Sequence, residues 1–240
     1  ESRPRRPPAP RKPAPVRRLP AAPPRPTSQP LPTPSDLDLE IAAVAARLLA
    51  EDGCDYASAK RKAARELLGN SAGGRLPDNA LVEKALRRYL RTFDSERHAE
   101  RLGALRRAAL QWMERLATFE PHLVGAVLNG TATEHSDLHL HLFTDNPKDV
   151  EMFLLDAGLA FEAEAGEDAP GGADEVLHLV VPAPRGSPLP PRLGLVLSVH
   201  AADAVRLAPR FRSSGTDLHP VETLGRASAA QLRQLIDEAA

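Results

Sequence analysis

Apolar residues recur at helical spacing through the first half of the chain and give way to strand-like alternation in the second. Asp36 to Ala50 carries Leu39, Ile41, Val44, Ala45, Leu48 and Leu49, with Gly53 as its stop. Asp55 to Leu68 repeats the pattern with Ala59, Ala63 and Leu67, and stops at Gly69-Asn70. Asn79 to Thr92 places Leu81, Val82, Ala85, Leu86, Tyr89 and Leu90 on one stripe. The longest run, Glu96 to Phe119, has Leu102, Leu105, Ala109, Trp112, Met113 and Leu116. Four amphipathic helices in succession are therefore predicted.

From Val124 the period changes. Val124 to Leu128 predicts an apolar strand, Gly130-Thr131-Ala132-Thr133 a tight turn, and Leu138 to Leu142 a strictly alternating strand. In that second strand Leu138, Leu140 and Leu142 share one face, and Asp137, His139 and His141 share the other. Asn146-Pro147 is a helix start, Asn as N-cap and Pro in the first turn, and Gly158 closes that helix. Leu159 to Phe161 predicts a short strand, and Ala163 to Ala173 an acidic, glycine-rich surface loop. Val176 to Val181 and Leu193 to His200 are two further strands joined by a proline-rich link, and Ser228 to Glu238 is a closing helix. Helices first, then mixed strands and helices, predict an α+β fold with a helical N-terminal region over 35–120 and a mixed-sheet domain over 121–240.

Composition divides the chain differently. Residues 1–34 hold 13 of the 24 prolines and eight of the 31 Lys/Arg, against a single acid, Glu1. Such a segment cannot bury apolar surface, so a disordered, extended, basic tail is predicted, a solvated arm or an electrostatic arm for nucleic acid. The 240 residues contain one cysteine, Cys54, which rules out an internal disulfide. No stretch is long and apolar enough for a membrane span, and the basic N-terminus lacks the apolar segment of a secretory signal. A cytoplasmic protein with no membrane partner is the expectation. The chain has neither a Gly-x4-Gly-Lys-Ser/Thr loop nor a Gly-x-Gly-x-x-Gly after a strand, so P-loop and Rossmann chemistry are not expected.

Asp137, His139 and His141 on one strand face form a candidate metal set, since two imidazoles and a carboxylate suit a site with an open position. A polar strand face meeting solvent or a helix, without any metal, is the plainer reading of them. His135 and His200 are secondary ligand candidates, and His98, His122, His178 and His219 are expected to be structural. Lys60, Arg61, Lys62 and Arg65 on the second helix, and Arg206 with Arg210 to Gly215, are candidate phosphate contacts, each with a solvated surface as the plainer reading.

The stretch from Pro121 to His200 resembles the nucleotidyltransferase superfamily, the fold shared by polymerase beta and the small bacterial nucleotidyltransferases. In that family one strand ends in Gly-Ser, a turn with a second glycine follows, and the next strand carries Asp-x-Asp. Here Gly125 and Ala126 stand at the Gly-Ser, Gly130 to Thr133 at the turn, and Ser136-Asp137-Leu138-His139 at the acidic strand. The resemblance implies a mixed sheet with flanking helices. It also implies Asp137 and His139 as catalytic metal ligands, and Gly125, Ala126, Gly130, Thr131 and Ser136 on the nucleotide side. The cofactor implied is a divalent metal, Mg²⁺ or Mn²⁺ for an active enzyme. His139, a nitrogen where the family has an oxygen, suits Zn²⁺ better. Ala126 lacks the expected hydroxyl, and the strand expected to bring a third carboxylate, Leu193 to His200, offers Ser198 and His200, with Asp203 just beyond. Two functions are open at this stage: nucleotidyl transfer through a divergent metal site, or a catalytically inactive nucleotide- or RNA-binding or scaffold protein that keeps the fold.

Overall fold

The computed structural model describes residues 35–69, 76–166, 172–209, 212, 213, 215 and 218–239. The basic tail, and Arg210, Phe211 and Ser214 of the arginine run, lie outside the described residues.

The predicted helices are present, and their caps explain their limits. In α1 (Asp36–Asp52) Ser35 and Asp38 form a reciprocal capping box, and Gly53 ends the helix with φ +62°. The α2 helix (Tyr56–Leu68) is capped by Asp55, which accepts the Ser58 amide at 2.9 Å. In α3 (Asn79–Phe93) Asp78 accepts the Leu81 amide at 2.7 Å. Their apolar stripes meet in one core built from Ile41, Ala45, Leu49, Ala59, Ala63, Val82, Leu86 and Leu90. The longest helix, α4 (Ser95–Arg115), belongs elsewhere. Its Leu105, Ala109, Trp112 and Met113 enter a second core, that of the sheet, and no residue is shared between the two. The helical region expected over 35–120 thus divides by its packing at Asp94.

The fold is α+β, around one six-stranded mixed sheet of order β3-β4-β5-β2-β1-β6. Its strands are β1 (His122–Val124), β2 (Leu138–Phe143), β3 (Phe161–Ala165), β4 (Glu175–Pro182), β5 (Arg192–His200) and β6 (Ala227–Ser228). The central β2–β5 pair is parallel and every other pair antiparallel. Alternation decides which face is covered. Leu138, Leu140, Leu142, Leu177, Leu195, Leu197 and Val199 show no exposed surface. They share a core with α4, with Val150 and Leu154 of α6 (Pro147–Asp156), and with Leu232 and Leu235 of α7 (Ala229–Glu238). Each fully buried leucine contributes about 2 kcal/mol at most.

Two expectations need correction. Val124 to Leu128 is not a strand: β1 stops at Val124, and Gly125–Asn129 coils into the short helix α5. Successive strand residues face opposite sides, yet Val127 and Leu128 are both 1% exposed and both in the core. A helical turn, entered through Gly125 at φ +72°, lets neighbours in sequence bury together. The acidic loop expected from Ala163 begins later, because β3 runs to Ala165 and pairs with β4. Residues 167–171 of that loop lie outside the described residues.

Candidate functional site

The face of the sheet opposite the leucines carries the polar residues of every long strand. Register aligns them in rows. Glu162, His178, Val196, His139 and Val124 form one row, and Glu164, Val176, Ser198, His141 and His122 the next. Phe143 and His200 pair in a third. Five of the chain's eight histidines therefore share this face, including His122 and His178, which the sequence reading treats as structural. Their parity along the strands is visible in sequence. The pairing that brings four separate strands side by side is not.

Asp137 immediately precedes β2, is exposed, and folds across β5 onto Gly194. A Cβ built on Gly194 would lie 2.0 Å from Asp137 Oδ1. Beside it His139 keeps an exposed edge. Its imidazole is nonetheless held below the ordinary value, by desolvation against the sheet first, with His178 adding in the same direction and Asp137 opposing. On the other side of His139, Gly125 leaves the backbone uncovered, since a Cβ there would meet only the His139 Cβ, at 4.0 Å. The open face thus has a floor at Gly125, His139, Asp137 and Gly194.

Farther along the strands the face closes. His141 and His200 lie with ring centroids 4.4 Å apart, and His200 stacks on Phe143 at 5.4 Å. His122 meets the Phe143 edge at 5.4 Å, and the Arg226 guanidinium covers that ring at 5.0 Å. Arg226 also donates to the Val205 and Leu207 carbonyls at 2.6 and 2.9 Å, tying the segment after β5 to the sheet. Burial pushes the His141 imidazole down to about 3, and repulsion from His200, Arg226, His122 and His139 acts in the same direction. His141 is accordingly a packed, neutral ring turned toward His200 and Phe143.

The structure gathers some of the candidates and separates others. Gly125, Asp137 and His139 lie together, and Ala126 is half-buried in the first turn of α5. Ser136 is turned to its own loop, where its hydroxyl accepts the Thr133 amide at 2.9 Å. Gly130 and Thr131 sit at the opposite, carbonyl end of α5, buried. The Thr131 amide is already bonded to the Ala126 carbonyl and Asn129 Oδ1, at 3.0 and 3.1 Å. That end attracts cations. Arg106 donates to the Val127 and Leu128 carbonyls at 3.1 and 3.0 Å, and His98 Nε2 lies 3.0 Å from the Gly130 carbonyl. Among the described residues no group of three or more His, Cys, Asp or Glu side chains is close enough to hold a metal ion.

The remaining candidates have local roles. His135 lies against Gly53, with Nε2 3.3 Å from the Glu51 carbonyl, and His219 caps the turn at Pro220. Asp203 follows His200, at the far end of β5 from Gly194 and Val196. The stretch from Val196 to His200 alone spans about 13 Å at the strand rise. Cys54 accepts a hydrogen bond from Lys62 Nζ at 3.0 Å, and Lys60 bonds Asn79 and the Pro77 carbonyl. No described helix is long and apolar enough to cross a membrane. Comparison with protein-family models, with curated proteins and with solved structures finds no match.

Proposed function

We propose that this chain is a nucleotidyltransferase-like protein that binds a nucleotide at Gly125, Asp137 and His139 without transferring it. One observation carries the reading. Asp137 faces Gly194 across β5 and His139 faces Val196, so the central parallel pair offers a single carboxylate where metal-assisted phosphoryl transfer needs two or three. The order of elements supports the kinship: Gly125 follows β1, α5 and a second glycine come next, and Asp137 immediately precedes the next strand. The floor suits a nucleotide in two ways. The backbone at Gly125 is uncovered, and the exposed His139 and His178 stand on either side of Val196 in one row, imidazoles on which a base can stack. With one carboxylate, recognition rests on stacking and hydrogen bonding, and a divalent metal is dispensable.

The test is calorimetry of the purified chain with ATP, CTP, GTP and UTP, in EDTA and in Mn²⁺, together with release of pyrophosphate. The expected result is binding in EDTA that weakens in His139→Ala, with no pyrophosphate formed. Turnover in Mn²⁺ that disappears in Asp137→Ala would instead establish the enzyme, with Asp137 and His139 as its metal ligands.

A further inference from the structure

We propose that α1–α3, residues 36–93, form a cap that swings as a unit about Asp94, and that its grip on Asn129 sets the position of α5. The proposal rests on the nucleotide reading, because α5 carries Asn129 at one end and Gly125 of the candidate site at the other.

Three observations point to the device. First, the cap has its own apolar core, from Ile41 to Leu90, and the sheet domain has another, from Ala104 to Leu235, with no residue common to both. Both cores lie within one compact unit, Pro34–Ala240, and the seam between them is the place in it where relative motion is expected. Second, what joins them at α5 is polar. Glu83 of α3 accepts from Asn129 Nδ2 at 3.1 Å and from Arg87 at 2.5 Å, with its side chain only 17% exposed. The Glu51 carbonyl of α1 lies 3.3 Å from His135 Nε2. Polar bonds of this kind can be exchanged for water at small net cost, whereas a shared leucine core cannot. Third, Asp94 follows the last residue of α3 and caps α4, with φ −144° and ψ 32°; its side chain makes no capping bond and pairs instead with Arg101 of α4 at 3.4 Å. The chain there has one residue in which to turn.

Opening therefore breaks the Glu83–Asn129 bond, leaves the C-terminal end of α5 held by Arg106 and His98 of α4, and lets Gly125 shift against His139. A ligand that needs the closed position of Gly125 tightens the cap, and a cap held open weakens the ligand. The two effects are reciprocal.

The test uses the full chain with Cys54→Ser and spin labels at Leu39→Cys in the cap and Met152→Cys on α6, both at exposed positions. Pulsed dipolar spectroscopy should give one narrow distance. Glu83→Gln, which keeps the shape but loses the charge-assisted bond, should raise a longer-distance population about ten-fold, and Asn129→Ala should do the same. ATP should shift it back. Unchanged distances in both variants, with native circular dichroism, overturn the cap. If the distances lengthen but no nucleotide binds to the parent, the cap stands and the nucleotide reading falls. If nucleotide binds equally to parent and variants while distances lengthen, the coupling through α5 is overturned.

Discussion

The Asp137 carboxylate lies on the bare backbone of Gly194, close enough that a methyl group at that position would fall 2.0 Å from Oδ1. Gly194 is an interior strand residue, where glycine is ordinarily unfavourable. Its use here leaves room for an acid from the neighbouring strand. Gly194→Ala gains strand propensity and, because Asp137 is exposed, the carboxylate can swing outward into water. The substitution should leave the melting temperature within a few degrees of the parent and still weaken nucleotide binding as far as Asp137→Ala does. Calorimetry beside thermal melting reads both. Equal binding in Gly194→Ala and the parent would show that the seat on β5 has no role.

Arg106 and Glu222, far apart in sequence, meet at 2.6 Å with side-chain exposures of 7% and 13%. Arg106 also closes the carbonyl end of α5, and Glu222 accepts the His219 amide at 2.8 Å. Removing one member of such a buried pair strands the other charge, at roughly 3–5 kcal/mol. Arg106→Met should therefore lower the urea midpoint sharply, and Arg106→Met with Glu222→Gln should recover part of the loss. A double variant no more stable than Arg106→Met would mean that the ion pair is not what the single substitution disturbs.

Much of this architecture is legible in the chain, and the gaps have physical causes. The caps at Ser35, Asp55, Asp78 and Asn146 and the Leu138-Leu140-Leu142 alternation act within a few residues, so the sequence displays them directly. Val124 to Leu128 misleads, because five apolar residues in a row fit a buried strand as well as a buried helical turn. The closeness of Asp137 and Gly194 depends on β2 lying parallel to β5 in one register, which nothing local encodes. For the same reason His122 and His178 are recognisable as open-face residues only once the strands are ordered.

Tyr56 makes the cap sensitive to alkali. Burial, with the Glu83 carboxylate adding to it, pushes its phenol up from 10.0 to about 12. A raised folded value means that the contribution is complete below pH about 10. Above that, the unfolded chain releases a proton which the folded chain retains, and stability falls as pH rises toward about 12. Tyr56→Phe removes this group from the balance. Unfolding free energies from urea titrations between pH about 9 and about 11 should decline more steeply in the parent than in Tyr56→Phe. Parallel declines would place the Tyr56 hydroxyl in water in both states.

A missing carboxylate can be supplied. His139 and Val196 are directly paired on β2 and β5, and neighbouring strands lie about 4.8 Å apart. Aspartates at both positions, with Asp137 one row away, would place three acids around a single point, within the reach of an ion that takes oxygen ligands at about 2.1 Å. Val196 is 9% exposed and packs with Ala173 and Val176, so the change costs roughly 1–3 kcal/mol until metal is bound. His139→Asp with Val196→Asp should consequently melt below the parent in EDTA and regain stability as Mn²⁺ is added, with Mn²⁺ electron paramagnetic resonance reporting the bound ion. The parent should show no such rise. Metal stabilisation of the parent equal to that of the double variant would mean that one carboxylate and one imidazole already suffice, and would remove the ground for a metal-independent site.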